Sequence, residues 1–259
     1  MSGTIQVAST GHVATIVIDN PGKRNAMSQA MWIAVGDAVL ELSTRADLRC
    51  IVVRGAGEEA FGSGAEIGEF ATLRASREQA LAFARHGHRA MHALRDCPIP
   101  TLAAIRGACV GGALELAAFC DIRLCSDDSR FGVPIARLGA TLAYAELEGL
   151  VRLAGPVTAA ELLLEGRIIG AVEAQAKGIV NRSIAPDLFE AEVDAAVSRI
   201  CAGAPLAARW HKKFIARLRS DAPLTEADIA EGYACFDTLD YKTGFEAFLA
   251  KQEPQFLGK

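Results

Sequence analysis

The order of strand, glycine-rich turn and helix recurs along this chain and limits the folds it can adopt. Residues 49–54 form a short β-branched run that closes at Gly55. Residues 101–105 form a second apolar run, after which a glycine-bearing turn at 107–112 leads into a helical stretch at 113–120. Alternation of strands with helices is typical of parallel sheets that are covered by helices. The sequence therefore predicts an α/β fold with parallel strands rather than a β-sandwich.

Several other segments carry secondary-structure patterns. Residues 28–42 are predicted to form a helix with Ser28 as its N-cap, and residues 66–95 have apolar side chains at helical spacing. Thr158 and Glu161 stand at capping-box spacing, which predicts that a helix begins there. Further elements are predicted as a strand at 12–18 and as helices at 171–177, 188–201, 205–218 and, in two pieces, within 225–251.

Composition sets the broad class of the protein. The 259 residues are 51% hydrophobic and carry a net charge of −4, which fits one sizeable core domain with a small helical appendage and disfavours disorder. A dedicated nucleic-acid binder would show a basic surface. The N-terminal stretch lacks the features of a signal peptide, and no uninterrupted apolar stretch reaches the length of a membrane span. We expect a soluble, cytoplasmic protein that binds neither nucleic acid nor membranes.

Motifs for metals and common cofactors are missing from the sequence. The seven cysteines show no paired CxxC at zinc spacing, so reduced, buried thiols are the favoured interpretation. His88 and His92 would share one helix face, but Arg89 stands where a zinc protease carries its glutamate, and solvated histidines are favoured over a metal site. Neither a dinucleotide-binding GxGxxG after a strand nor a GxxxxGK[ST] loop occurs. We therefore predict no metal and no NAD or ATP.

Two glycine-bearing turns share one physical design. Gly64 precedes the polar stretch that begins at Glu66, and Gly111 and Gly112 precede the apolar helical stretch. The first N–H groups of a helix lack internal partners, and small residues let a ligand oxygen approach that backbone closely. Two such turns facing each other would form an oxyanion hole. For either turn alone, a purely conformational role of the glycines is the alternative.

Glu115 lies within the apolar helical stretch. A carboxylate in such a setting has to be paired, solvated in a cavity, or neutralised through a raised pKa. One interpretation is a structural pair with an arginine such as Arg123, and the other is a general acid/base beside the oxyanion site. Residue type alone leaves both interpretations open.

Several motifs, in the same order along the chain, resemble the enoyl-CoA hydratase/isomerase (crotonase) family. The resemblance runs nearly from end to end, and its two signature segments are residues 55–66 and 105–116. The other matching segments are 20–27, 120–123, 160–167, 178–181 and 244–251.

The resemblance implies a fold, a reaction and an assembly. The expected fold is a spiral of ββα units, with residues 1–200 forming the core that holds a CoA-thioester site. Residues 201–259 would form a C-terminal helical trimerisation region. The expected reaction is addition of water to a 2-enoyl-CoA through an enolate held in the oxyanion hole. Coenzyme A would then be part of the substrate rather than a cofactor, and the protein would be a homotrimer or a dimer of trimers.

The resemblance also implies site residues. Ala65 and Gly112 would supply the N–H groups of the oxyanion hole, and Glu115 would occupy one of the two acid/base positions of the hydratase. The implied substrate-binding residues, of which the last two would reach the CoA adenine from a neighbouring subunit, are Lys23, Arg24, Ala26, Gly64, Ile67, Gly111, Ile135, Phe248 and Lys251.

The chain departs from the family pattern at one chemically important position. Ile135 stands where the hydratase carries its second catalytic glutamate. Candidates to replace the missing carboxylate are Tyr144, Glu146 and Glu148, although each is more readily interpreted as a solvated or packing residue. Hydration is the favoured reaction. The alternatives are enoyl-CoA isomerisation, decarboxylation or retro-aldol cleavage of an acyl-CoA, or catalytically weak acyl-CoA binding.

Overall fold

The structure, a computed structural model, describes residues 3–259 and contains two sheets flanked by helices. The strands are β1 (Thr4–Thr10), β2 (Val13–Asp19), β3 (Cys50–Gly55), β4 (Ala60–Gly62), β5 (Thr101–Ile105), β6 (Ala108–Val110), β7 (Ile122–Ser126), β8 (Arg130–Gly132), β9 (Ile169–Gly170) and β10 (Arg182–Ile184). The helices are α1 (Gln29–Ser43), α2 (Phe70–Leu73), α3 (Arg77–Asp96), α4 (Gly112–Ala118), α5 (Tyr144–Glu165), α6 (Ala171–Ala176), α7 (Phe189–Ala202), α8 (Pro205–Leu218), α9 (Glu226–Glu231) and α10 (Leu239–Ala250). Short 3₁₀ turns occur at Ile67–Glu69, Ile135–Leu138 and Ala234–Asp237.

The larger sheet has the strand order β1-β2-β3-β5-β7-β10. Its first pair is an antiparallel hairpin, and every later pair is parallel. The predicted α/β fold with parallel strands is therefore confirmed. The side chains of β2 alternate between buried and half-buried, and the strand packs over the helices through Ala14, Ile16 and Ile18.

The smaller sheet has the order β4-β6-β8-β9 and was not predicted. Its strands are only two or three residues long, which is too short to show a recognisable pattern in the sequence. Each of β3, β5 and β7 is followed by one of these short strands and then by helical structure. The chain thus winds as ββα units.

Helix boundaries were predicted well except in α5 and in the stretch 66–95, which the structure divides into a 3₁₀ turn, α2 and α3. Ser28 caps α1 as expected, since its side chain accepts a hydrogen bond from the Met31 N–H at 3.3 Å. The helix predicted to begin at Thr158 corresponds to the second half of α5, whose first half begins at Tyr144. The two halves meet at a kink at Gly155 (φ 79°, ψ 163°), and Pro156 starts the second half. Proline fits a first helical turn, so Thr158 already lies inside the helix and does not cap it.

The C-terminal part of the described chain is helical, and α8, α9 and α10 leave many apolar side chains exposed. Among residues 3–259, no helix combines the length and the apolar character that crossing a bilayer requires.

Candidate functional site

The two glycine-bearing turns contact each other beside the N-terminus of α4. Gly64 has φ +96° and Gly111, the N-cap of α4, has φ +57°, a region that favours glycine. A Cβ atom on Gly64 would lie 3.1 Å from the Val110 carbonyl oxygen and 3.2 Å from the Gly112 nitrogen. Glycine at position 64 is therefore what allows the two backbones to approach.

Two backbone N–H groups at this junction have no acceptor within the described chain. Gly112 is the first residue of α4, where no intrahelical acceptor exists, and the N–H of Ala65 donates to no backbone or side-chain group. A Cβ atom on Gly112 would lie 3.7 Å from the Ala65 nitrogen, so the two groups are neighbours. Both residues line the same cavity, where the N–H groups are available to one ligand oxygen.

That cavity has a volume of about 160 Å³ and lies between the glycine turns, α3 and the start of α5. Its walls are mostly apolar and aromatic, and three ionisable side chains line it: Arg74, Glu115 and Glu146. An apolar pocket with a few convergent polar groups is the common form of a small-molecule site.

Glu115 is 6% exposed and forms no ion pair with any described residue. Arg123 does not pair with it, because the guanidinium donates to backbone carbonyls, among them that of Ile179 at 3.0 Å. The interpretation of Glu115 as the partner of Arg123 is therefore wrong. Burial raises the pKa of Glu115 to about 8, the charge of Glu146 adds to the rise, and Arg74 opposes it.

Glu146, near the start of α5, is the second carboxylic acid of the cavity. It is 8% exposed, and its Oε1 atom lies 2.9 Å from Nε2 of His88 on α3. Burial acts to raise the pKa of Glu146, but His88 and the backbone at the start of α5 outweigh it and hold the pKa below its ordinary value. Its Oε2 atom is buried without a hydrogen-bond partner among the described protein groups.

The other two candidates from the same segment do not reach the cavity. Tyr144 is 92% exposed. Glu148 points away and forms an ion pair with Arg152 at 2.8 Å. Of the three candidates, the structure brings only Glu146 to the site, and its interpretation as a solvated residue is wrong.

Comparison with known proteins agrees with this geometry. The sequence model of the family described as enoyl-CoA hydratase/isomerase matches residues 8–259. The chain belongs to this family. It is 30% identical to a crotonyl-CoA hydratase of Syntrophomonas wolfei, with 95% of each chain covered, and 33% identical to a probable enoyl-CoA hydratase of Bacillus subtilis, with 98% of this chain and 99% of the relative covered.

Solved structures of the family show the same fold. An enoyl-CoA hydratase/carnithine racemase from Magnetospirillum magneticum superposes with a TM-score of 0.97 at 47% identity, covering 99% of this chain and 96% of the other. An enoyl-CoA hydratase from Bacillus anthracis superposes with a TM-score of 0.90 at 27% identity, covering 99% and 100%. The crotonase-like fold is confirmed, and the protein is an enzyme of this family.

The substrate-binding residues implied by the family pattern fall into three groups. Gly64, Gly111, Ile67 and Ile135 line the cavity. Ile135 lies half-buried in the 3₁₀ turn before α5, so an apolar side chain occupies the wall where the family pattern has a carboxylate.

The second group lies on a turn that is hydrogen-bonded to the segment before Gly64 and consists of Lys23, Arg24 and Ala26. The Ser63 N–H donates to the Arg24 carbonyl at 3.0 Å, and Lys23 pairs with Glu66 at 2.9 Å. Lys23 and Arg24 are exposed, whereas Ala26 is buried.

The third group, Phe248 and Lys251, lies away from the cavity. Phe248 is exposed on α10 and lines a separate apolar depression between α8 and α10. Lys251 is the exposed C-cap residue of α10. Within one chain, these two residues do not contribute to the cavity.

His88 and His92 of α3, predicted to be solvated, are half-buried. His88 Nε2 is buried beside Glu146, and the His92 ring packs edge-on against Phe119 with ring centroids 6.3 Å apart. Burial lowers the pKa of His92. No group of three or more metal-ligating side chains occurs among residues 3–259.

Proposed function

We propose that this enzyme adds water to the double bond of a 2-enoyl-CoA, with Glu146 replacing the carboxylate that Ile135 removes. The observation that supports the proposal is the pair of carboxylic acids in one cavity, one with a raised and one with a lowered pKa. Opposite pKa shifts in neighbouring carboxylic acids are how protein sites separate an acid from a base.

In this proposal the thioester oxygen binds between the N–H groups of Ala65 and Gly112. Negative charge grows on that oxygen as the enolate forms, and each N–H donor contributes about 3 kcal/mol to the transition state. The partial positive charge at the N-terminus of α4 acts in the same direction. The coenzyme A portion enters as part of the substrate, along the turn that carries Lys23 and Arg24, and no separate cofactor is needed.

Glu146 acts as the base and Glu115 as the acid. The Glu146 carboxylate takes a proton from water while the water oxygen bonds to C3 of the substrate. The electrons of the C2=C3 bond move toward the thioester, and the resulting enolate takes a proton at C2 from Glu115. Glu115 is protonated up to a pH of about 8 and can donate. Proton exchange with solvent then restores both groups.

Replacing Glu146 by glutamine tests this proposal most directly. Glutamine keeps the size of the side chain but cannot accept the proton, so kcat/KM for crotonyl-CoA should fall about 10²- to 10⁴-fold. The loss of absorbance of the enoyl thioester measures the rate. The Kd of the unreactive butanoyl-CoA should remain unchanged, because the variant removes chemistry rather than binding.

Glu148→Gln is the matched control, because Glu148 lies on the same helix and pairs with Arg152 instead of lining the cavity. It should retain the wild-type rate. Wild-type turnover by Glu146→Gln would remove Glu146 from the mechanism. If the wild type hydrated no 2-enoyl-CoA of any chain length, hydration itself would be the wrong reaction.

We also propose that the C-terminal helices form the contacts of a trimer or of a dimer of trimers. Exposed aromatic side chains support this, since one chain leaves them uncovered. The rings of Phe236, Tyr241 and Phe245 contact one another in series, and Phe248 lines the same depression as Tyr241 and Phe245. In such an assembly Phe248 and Lys251 would reach the CoA site of a neighbouring chain. Light scattering should give three or six times the 27.3 kDa chain mass, and a monomeric mass would contradict the proposal.

A further inference from the structure

Arg74 is the one basic side chain that lines the cavity among the described residues. It follows directly after α2, and its guanidinium lies between two aromatic rings, 4.6 Å from the Phe70 centroid and 4.7 Å from the Phe83 centroid. Phe83 is buried in the core, so the guanidinium is held on the inner side of this segment. Arg74 has no part in the proposed hydration step.

Within the described chain, the charge of Arg74 has no partner. No carboxylate lies within ion-pair distance, and its side chain forms no hydrogen bond. The two carboxylates of the same segment are used elsewhere: Glu69 accepts a hydrogen bond from the Gln29 N–H at 2.8 Å, and Glu66 pairs with Lys23. Glu115 does not neutralise Arg74 near pH 7, because a pKa of about 8 keeps that carboxyl group protonated.

Contacts with the Phe70 and Phe83 rings hold the guanidinium in place without using its N–H donors in a hydrogen bond. Within the described chain these donors remain available to a ligand. This preorganised fork matches a carboxylate, which can accept two parallel hydrogen bonds from it. A neutral alkyl chain would leave the same charge half-buried without a counterion.

We infer that the acyl group of the substrate carries a carboxylate at its far end and that Arg74 binds it. The preferred substrates are thus CoA thioesters of dicarboxylic acids, rather than of simple fatty acids or of acids with a cationic end group. This inference rests on the proposed acyl-CoA site but not on hydration as its reaction. Glu146 is the opposing charge in the cavity, so the carboxylate has to lie at the Arg74 side.

Binding of saturated acyl-CoAs tests the inference independently of catalysis, because these thioesters cannot be hydrated. Adipoyl-CoA and glutaryl-CoA should bind about 10- to 100-fold more tightly than hexanoyl-CoA and pentanoyl-CoA, as charge-assisted hydrogen bonds predict. 4-(Trimethylammonio)butanoyl-CoA should bind most weakly. Isothermal titration calorimetry on the wild-type enzyme gives all these affinities without any variant. Equal affinities, or tighter binding of the neutral or the cationic thioesters, would overturn the inference.

Two variants locate the preference at Arg74. Arg74→Gln should abolish the advantage of adipoyl-CoA while leaving the affinity for hexanoyl-CoA within about twofold, and Arg74→Lys should retain part of the advantage because the charge remains. If Arg74→Gln weakened both thioesters equally, Arg74 would contact the common CoA portion and the inference would be wrong. If the wild type hydrated no 2-enoyl-CoA but kept its preference for adipoyl-CoA, hydration would be refuted and the inference about Arg74 would stand.

Discussion

Glu115 on α4 and Glu146 on α5 are the same residue type in the same cavity, yet their pKa values shift in opposite directions. Glu115 has no cation at ion-pair distance, and burial dominates its environment. Glu146 is almost as buried, but His88 lies 2.9 Å away on α3. The comparison shows that burial raises the pKa of both carboxyl groups and that the hydrogen bond from His88 on the neighbouring helix reverses the direction for Glu146.

The two carboxyl groups of the cavity come from two helices. The wall formed by the 3₁₀ turn before α5 is apolar at Ile135, while the first turn of α5 supplies Glu146 and α4 supplies Glu115.

Of the effects that should distinguish Glu115 from Glu146, the largest is on the free energy of unfolding. The pKa of Glu115 is higher in the folded state than its ordinary value of 4.5, so the stability that it contributes is full below pH 4.5 and is lost as the pH rises toward 8. Relative to Glu115→Gln, the wild type should therefore lose about 1.4 kcal/mol of unfolding free energy for each pH unit in this window.

Urea unfolding of the wild type and of Glu115→Gln at pH 5, 6, 7 and 8 measures this difference. Glu146→Gln should show no such decline relative to the wild type, because the pKa of Glu146 is lowered. Parallel curves for wild type and Glu115→Gln would mean that Glu115 is not held protonated, and the contrast between the two groups would disappear.

A smaller effect is expected from His88→Asn, which removes the neighbour that keeps Glu146 ionised. Only the backbone at the start of α5 then opposes burial, so the pKa of Glu146 should rise, and kcat/KM should fall at low pH and recover as the pH rises. A residue that only packs would lower the rate equally at every pH. The pH dependence of kcat/KM distinguishes the two roles.

His86→Asn is the control for this experiment, because His86 lies on the same helix and has no ion pair with Glu146. It should leave the pH profile unchanged. A profile of His88→Asn that coincides with that of the wild type would show that His88 does not set the protonation of Glu146.

Much of the fold could be predicted because its signals are local. The apolar runs at β3 and β5, the Ser28 cap and the helices from α6 to α8 show their pattern within about a dozen residues. The short strands of the smaller sheet carry no such pattern, because pairing with neighbours defines them. In α5, the capping-box spacing predicted that a helix begins at Thr158. The second half of α5 begins two residues earlier, at Pro156, directly after the kink at Gly155.

The site was predictable in part, for the same reason. The sequence alone shows Gly64 and Gly111 at predicted turns before helical stretches, and it shows the carboxylate of Glu115 within an apolar stretch. Glu146 was visible only as one of three candidates, because the helix was predicted to begin after it. With α5 starting at Tyr144, Glu146 and Leu150 are one helical turn apart and both buried, which would have placed the carboxylate on the inner face.

The sequence by itself determined which residues could bend, cap or resist burial, since φ preference, capping and desolvation cost belong to single residues and their near neighbours. Only the tertiary structure decided that the Ala65 and Gly112 N–H groups adjoin, that His88 faces Glu146, and that Arg74 lies between two phenylalanines without a counterion. Electrostatic interactions depend on distance in space. That distance is set when α3, α4 and α5 pack together, and it has no counterpart in the order of residues along the chain.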